Sequence, residues 1–226
     1  MKTKNKALLL TLCAMLLVAA SIFGTVAYLT SKTENVVNTF TVGQVKITLD
    51  EAKVDADGKP VQGADRVQEN AYKLIPGKTY TKDPTIHVAE NSEACFIRAK
   101  VTLTNADKWV AIAAAYADNK VENIITGTDD NIWWVSQPSF DEAANTVTYT
   151  FVYKNESHTD ELGKRIWTKA DGTDLVLFDE IVMPGAVTNE ELAGVANTKI
   201  TVVGEAIQAE GFETEAAAWA AFDAQK

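Results

Sequence analysis

A chain of 226 residues with 46% hydrophobic and 23% charged side chains carries enough apolar material for a packed core and is poorly suited to wholesale disorder. Its formal charge of −10 repels phosphate backbones and argues against a nucleic-acid partner. Two cysteines and two histidines rule out a disulfide scaffold and a zinc-finger array.

The chain opens with Lys2, Lys4 and Lys6 and no acid, followed by an apolar run from Ala7 to Phe23 and the small residues Gly24-Thr25-Val26-Ala27. That is the three-part layout of a secretory signal over residues 1–27, with cleavage between Ala27 and Tyr28. An uncleaved anchor is the alternative, because Ala7 to Leu29 matches the roughly 20 residues that span a bilayer. Membrane contact is otherwise expected only through this segment before cleavage. Cleavage also removes Cys13, leaving Cys95 as the one mature thiol, so burial has to stabilise the core without an internal disulfide.

Residues 28–42 are polar but include Val36, Val37, Phe40 and Val42. Phe40 and Val42 fall on even positions, whereas Val45, Ile47 and Leu49 fall on odd ones. The buried face therefore flips at Gly43, which marks a bulge or the start of a separate strand. Residues 28–42 read as an extended segment free to pair elsewhere, and residues 43–226 as one β-domain. Within it, Cys95 to Leu103 alternates, with Arg98, Lys100 and Thr102 on the outward positions. Asp107 to Ala117 reads as a short helix. Thr146 to Lys154 repeats the alternation, with Val147, Tyr149, Phe151 and Tyr153 on one face. Leu175 to Val182 and Lys199 to Val203 are apolar on both faces, as in central strands. Asn189 to Val195 and Thr214 to Ala224 read as helices, the latter capped by Thr214. Turns are expected at Asp55-Ala56-Asp57-Gly58, Pro76-Gly77, Ala170-Asp171-Gly172 and Pro184-Gly185. The predicted class is mainly β, a jelly-roll-like antiparallel β-sandwich with a few short helices.

Catalytic signals are scarce. His87 and His158 each lack a second histidine nearby, so no pair of ligands one helical turn apart can face a metal. His87 reads as an exposed strand position and His158 as part of a polar loop. Cys95 has the inward parity of its strand and reads as a small core residue. No nucleophile elbow, phosphate loop or dinucleotide fingerprint occurs. Asp50, Glu51, Asp55 and Asp57 crowd one stretch, and Asp129, Asp130 and Asn131 another. The closing acid of an EF-hand is missing, so solvated turns are favoured over calcium sites. No cofactor and no enzymatic activity are expected. Trp133 and Trp134 are adjacent, so on a strand they point to opposite faces and one is left for a surface patch or interface.

Three groups of residues resemble the TasA/camelysin family of bacterial exported proteins. The first is Gly24-Thr25-Val26-Ala27-Tyr28-Leu29-Thr30-Ser31 with Asn38-Thr39-Phe40-Thr41-Val42-Gly43 and the strand Val45 to Asp50. The second is Ile75-Pro76-Gly77-Lys78 with Phe96-Ile97-Arg98-Ala99-Lys100-Val101. The third is Glu205 to Phe212 with the alanine-rich helix through Trp219. Residues from Asp107 to Gly172 carry no likeness. The resemblance implies a jelly-roll protein of the cell surface or extracellular matrix, processed by a signal peptidase of the SipW type. It also implies self-association into filaments, in which the freed amino-terminal strand of one subunit completes the sheet of the next. Val36, Val37, Phe40 and Val42 would then form the assembly interface. A surface module binding matrix polysaccharide or protein through Trp133-Trp134 is the alternative. Camelysin-type relatives have been labelled metallopeptidases, but this sequence offers no zinc motif to support that activity.

Overall fold

The computed structural model describes residues 6, 10–16, 43–155 and 165–225, and divides the chain into two units, 1–42 and 43–226. Residues 10–16 of the first unit are helical, with Leu10, Leu12, Met15 and Leu16 exposed. No helix among the described residues is long and apolar enough to cross a membrane. Ala27, Tyr28, Val36, Val37, Phe40 and Val42 lie outside the described residues, as does His158.

The second unit is mainly β, with antiparallel strand pairing. Its largest sheet has the order β12 (Ile200–Gln208), β4 (Cys95–Thr104), β8 (Thr146–Tyr153) and β6 (Trp133–Val135). β7 (Ser139–Asp141) also pairs with β8, and β9 (Ile166–Trp167) with β4. A second sheet has the order β1 (Ile47–Asp50), β3 (Thr85–Val88), β10 (Asp174–Val176). A third has the order β2 (Thr79–Thr81), β11 (Glu180–Val182), β5 (Ile125–Thr126).

Period-two patterning accounts for the large sheet. Val101 stands opposite Val202 on one side and Tyr149 on the other, so one apolar row crosses three strands. Ala99, Leu103 and Val147 are fully buried on this face and share one core with Tyr80, Ile86 and Phe178 of the other strands and loops. Trp133 meets Phe151 and Tyr153 edge-to-face at 6.2 and 6.1 Å, a geometry that suits their ring quadrupoles. Helix α1 (Ala106–Tyr116) adds Trp109, Ile112 and Ala113 from one stripe. Helix α2 (Asn189–Gly194) opens on a capping box between Thr188 and Glu191. Helix α3 (Glu215–Asp223) lies on the opposite face of the large sheet. There Ala218, Trp219 and Phe96 form a second cluster with Ile207 and Phe222.

Cys95 to Leu103, Thr146 to Lys154 and the three helices form close to the expected positions. Three expectations need correction. Leu175 to Val182 is not one strand. Leu177 and Phe178, both fully buried, break it so that β10 joins the second sheet and β11 the third. Lys199 to Val203 is not a doubly buried central strand: Lys199 precedes β12, Ile200 to Val203 open it at the end of the large sheet, and Thr201 and Val203 are exposed. Arg98 does not face solvent, because α3 covers it and leaves it 8% exposed. The Asp55–Gly58 turn forms, with Gly58 at φ +73 and the Tyr80 ring occupying the space that a Cβ would need.

Candidate assembly edge and its polar neighbours

β12 pairs with β4 over nine registered positions, from Ile200 opposite Leu103 to Gln208 opposite Cys95. Among the described residues β4 is its only strand partner, so its other side is an edge whose backbone groups enter no strand ladder. Sheet edges are commonly blunted by lysine, proline or a bulge. Ile200 to Gln208 contains no lysine, arginine or proline, and its pairing runs without a bulge. Ile200 and Val202 pack toward the core, while Val203 on the other face is 47% exposed. At Gly204 the second sheet comes close: an added Cβ would stand 3.2 Å from the Ile86 side chain and 3.4 Å from that of Ile47. A methyl added there requires the Ile86 side chain to give by a few tenths of an ångström.

The one charge on β12 is Glu205, 7% exposed. Arg98, opposite it on β4, donates from Nε to Glu205 Oε2 at 2.5 Å and from Nη2 to Asp223 Oδ1 at 2.5 Å. The guanidinium lies 4.1 Å from the Trp219 ring centroid. Burial disfavours the Arg98 charge, but the hydrogen bonds to Asp223 and Glu205 outweigh it and raise the pKa. α3 is held at its other end by Thr214 Oγ1, which accepts from Ala217 N at 3.1 Å, and by Glu215, which pairs with Arg165 at 2.7 Å. This places a fixed helix over one half of the strand pair that ends the sheet.

The acids that crowd residues 50–57 do not converge. Asp50 accepts from Arg66 Nε, and its Oδ1 lies 2.8 Å from His87 Nε2. Glu51 is buried against Lys82 Nζ at 2.5 Å and accepts from Asn70 Nδ2 at 2.9 Å, beside a cleft of about 650 Å³. Asp55 Oδ1 closes its own turn, accepting from Asp57 N at 2.8 Å, and Asp57 pairs with Lys78 at 2.8 Å. Asp129 Oδ1 likewise accepts from Asn131 N at 2.8 Å. Among the described residues no three His, Cys, Asp or Glu side chains are grouped so as to hold a metal.

His87 is more than an exposed strand position. Its Nδ1 lies 2.7 Å from Asp174 Oδ1, so the ring joins β1, β3 and β10 through two carboxylates. Burial disfavours the imidazolium, yet the hydrogen bonds to Asp50 and Asp174 prevail and raise the pKa. Cys95 is fully buried, which pushes its thiol up to about 12, far from a reactive thiolate at neutral pH. Trp133 is 1% and Trp134 49% exposed, the two-faced arrangement expected of adjacent strand residues.

No family model, curated protein or solved structure matches the chain. The TasA/camelysin likeness thus rests on the sequence stretches that carry it. The open edge of β12 and the Arg98 cluster escaped the sequence reading. Which strand ends a sheet depends on distant pairing, and an arginine at an alternating position gives no sign of the helix that covers it.

Proposed function

We propose that this chain is a secreted structural protein of the cell surface or biofilm matrix, and that its sheets close as a jelly-roll-like sandwich. Cleavage between Ala27 and Tyr28 by a signal peptidase of the SipW type frees residues 28–42. That segment then pairs with the edge of β12 in the next copy, which is strand addition between identical chains. The observation that carries this reading is the nine-residue β12, which has a strand on one side only among the described residues and carries no lysine, arginine or proline. An added strand satisfies the edge groups, and Val36, Val37, Phe40 and Val42 supply its apolar contacts. Because donor and acceptor are different surfaces, the contact is head-to-tail and extends as a filament when its rotation does not close into a ring. Nothing in this role calls for catalysis or a cofactor.

The test compares residues 28–226 with a chain starting at Gly43 by electron microscopy and sedimentation. Filaments from the first and monomers from the second are expected. Monomers from both refute fibre formation, and filaments from both refute the assignment of the donor segment. A second reading, a surface module for matrix polysaccharide, is favoured by the half-exposed Trp134, with Arg165 5.9 Å from its ring centroid. Loss of polysaccharide binding on replacing Trp134 with alanine supports it, and no binding by the parent ends it.

A further inference from the structure

A cleft of about 370 Å³ opens beside the core face of the large sheet, on the face of β6 opposite Trp134. That volume lies within the roughly 300–1,000 Å³ usual for small-molecule sites. Tyr149 and Phe151 of β8 and Val135 of β6 give it an apolar wall. Its mouth is built from the turn after β5. There Thr126 O accepts from Asp179 N at 2.9 Å, and Gly127 adopts φ +92 with the Asp179 side chain filling the space that a Cβ would need. Thr126, Ser136 and Gln137 add hydroxyls and an amide, and Glu122 and Asp130 add two carboxylates.

Two observations point to an occupant. Tyr149 is 6% exposed, yet its hydroxyl makes no hydrogen bond with any described residue, whereas buried phenols ordinarily find a partner. Burial and the nearby Glu122 carboxylate both hold that hydroxyl in its protonated form, ready to donate. Separately, Glu122 and Asp130 form no ion pair among the described residues, and no lysine or arginine lines the cleft. The site therefore repels anions and suits a positive group. Its hydroxyls and its idle phenol ask in addition for a hydroxylated body, and its aromatic wall for a ring face.

We propose that this cleft binds a protonated amino sugar, with the ammonium toward Glu122 and Asp130, the ring face against Phe151, and a sugar hydroxyl accepting from Tyr149. This stands apart from strand addition at β12, because it uses another surface and no residue of 28–42.

The full-length protein is titrated with glucosamine at about pH 6, where an amine is protonated. Glucose, N-acetylglucosamine and cadaverine are run in parallel, and binding is read by calorimetry and by amide shifts at Gly127, Ser136 and Gln137. Glucosamine is expected to bind at least ten-fold more tightly than each of the three. Glu122→Gln is expected to weaken it about ten-fold, and Tyr149→Phe, which keeps the ring, about five-fold with no fall in the thermal midpoint. A short glucosamine oligomer separates the two sources of the ligand. Tighter binding of the oligomer assigns a polymer unit and tighter binding of the monomer a free sugar, and either supports the site. Equal binding of glucose shows that charge is not read, and equal binding of cadaverine that hydroxyls are not read. Either result overturns the proposal, as does an undiminished affinity in Tyr149→Phe or the absence of glucosamine binding.

Discussion

Replacing Arg98 with methionine keeps a flexible apolar stem under α3 and removes the charge. Glu205, 7% exposed, then loses its guanidinium donor and keeps Lys100 Nζ at 3.5 Å, a longer contact from a more exposed group. Asp223 also loses a partner, but at 50% exposure water replaces much of that bond. Truncating one side of a buried ion pair costs roughly 3–5 kcal/mol, and the residual lysine places this case at the lower end, about 3 kcal/mol. For a unit of this size each kcal/mol moves the midpoint by roughly 2–4 °C, so the expected fall is about 6–12 °C. Thermal unfolding followed by circular dichroism measures it. Tryptophan emission adds a local reading, because the guanidinium sits 4.1 Å from the Trp219 ring centroid. The double variant Arg98→Met with Glu205→Leu removes both charges of the buried pair together and is expected to lie within about 1 kcal/mol of the parent, since most of the single variant's cost is the carboxylate's loss of its main donor. A single variant within about 0.5 kcal/mol of the parent, or a double variant that costs more than the single one, refutes the argument.

Gly58→Ala is expected to destabilise by about 2 kcal/mol or more in urea unfolding, because it combines a positive φ with a collision against the fully buried Tyr80 ring. His87 has a folded pKa above its ordinary 6.5, so the stability from its charge is complete below 6.5 and is lost as pH rises through the folded value. The urea midpoint of the parent should therefore fall over that interval, and His87→Gln should flatten this part of the profile. Asp50 works at the acid end. Despite its burial, hydrogen bonds from Arg66 and His87 hold its pKa below 3.8, so its contribution disappears as pH falls through that lowered value. Val203→Lys places a charge on the exposed side of β12 and is expected to shift stability by under about 0.5 kcal/mol while suppressing filaments by sedimentation.

Much of the architecture was legible where the pattern is local. The odd residues from Val147 to Tyr153 announce a buried face by their spacing, and Thr214 announces a helix start because its hydroxyl is suited to cap a backbone N–H. What stayed hidden depends on partners far along the chain. Leu175 to Val182 looks like one run because both of its sides are apolar. Only Leu177 and Phe178, turning into the core between sheets, show why it divides. His87 carries no mark of its carboxylates, since Asp50 and Asp174 approach it from strands 37 and 87 positions away. The cleft at Tyr149 was equally invisible, because its parity placed Tyr149 among the core residues and gave no hint of a hydroxyl left idle.

The seating of α3 makes the two ends of β12 unlike. Glu205 and Ile207 lie under its roof, whereas Thr201 and Val203 stand in the open. Bulky side chains on a ribbon laid along this border have headroom over one end only. In the strand addition proposed above, that overhang would act as a gauge, setting the ribbon's offset and orientation and giving a stack of such molecules a built-in polarity.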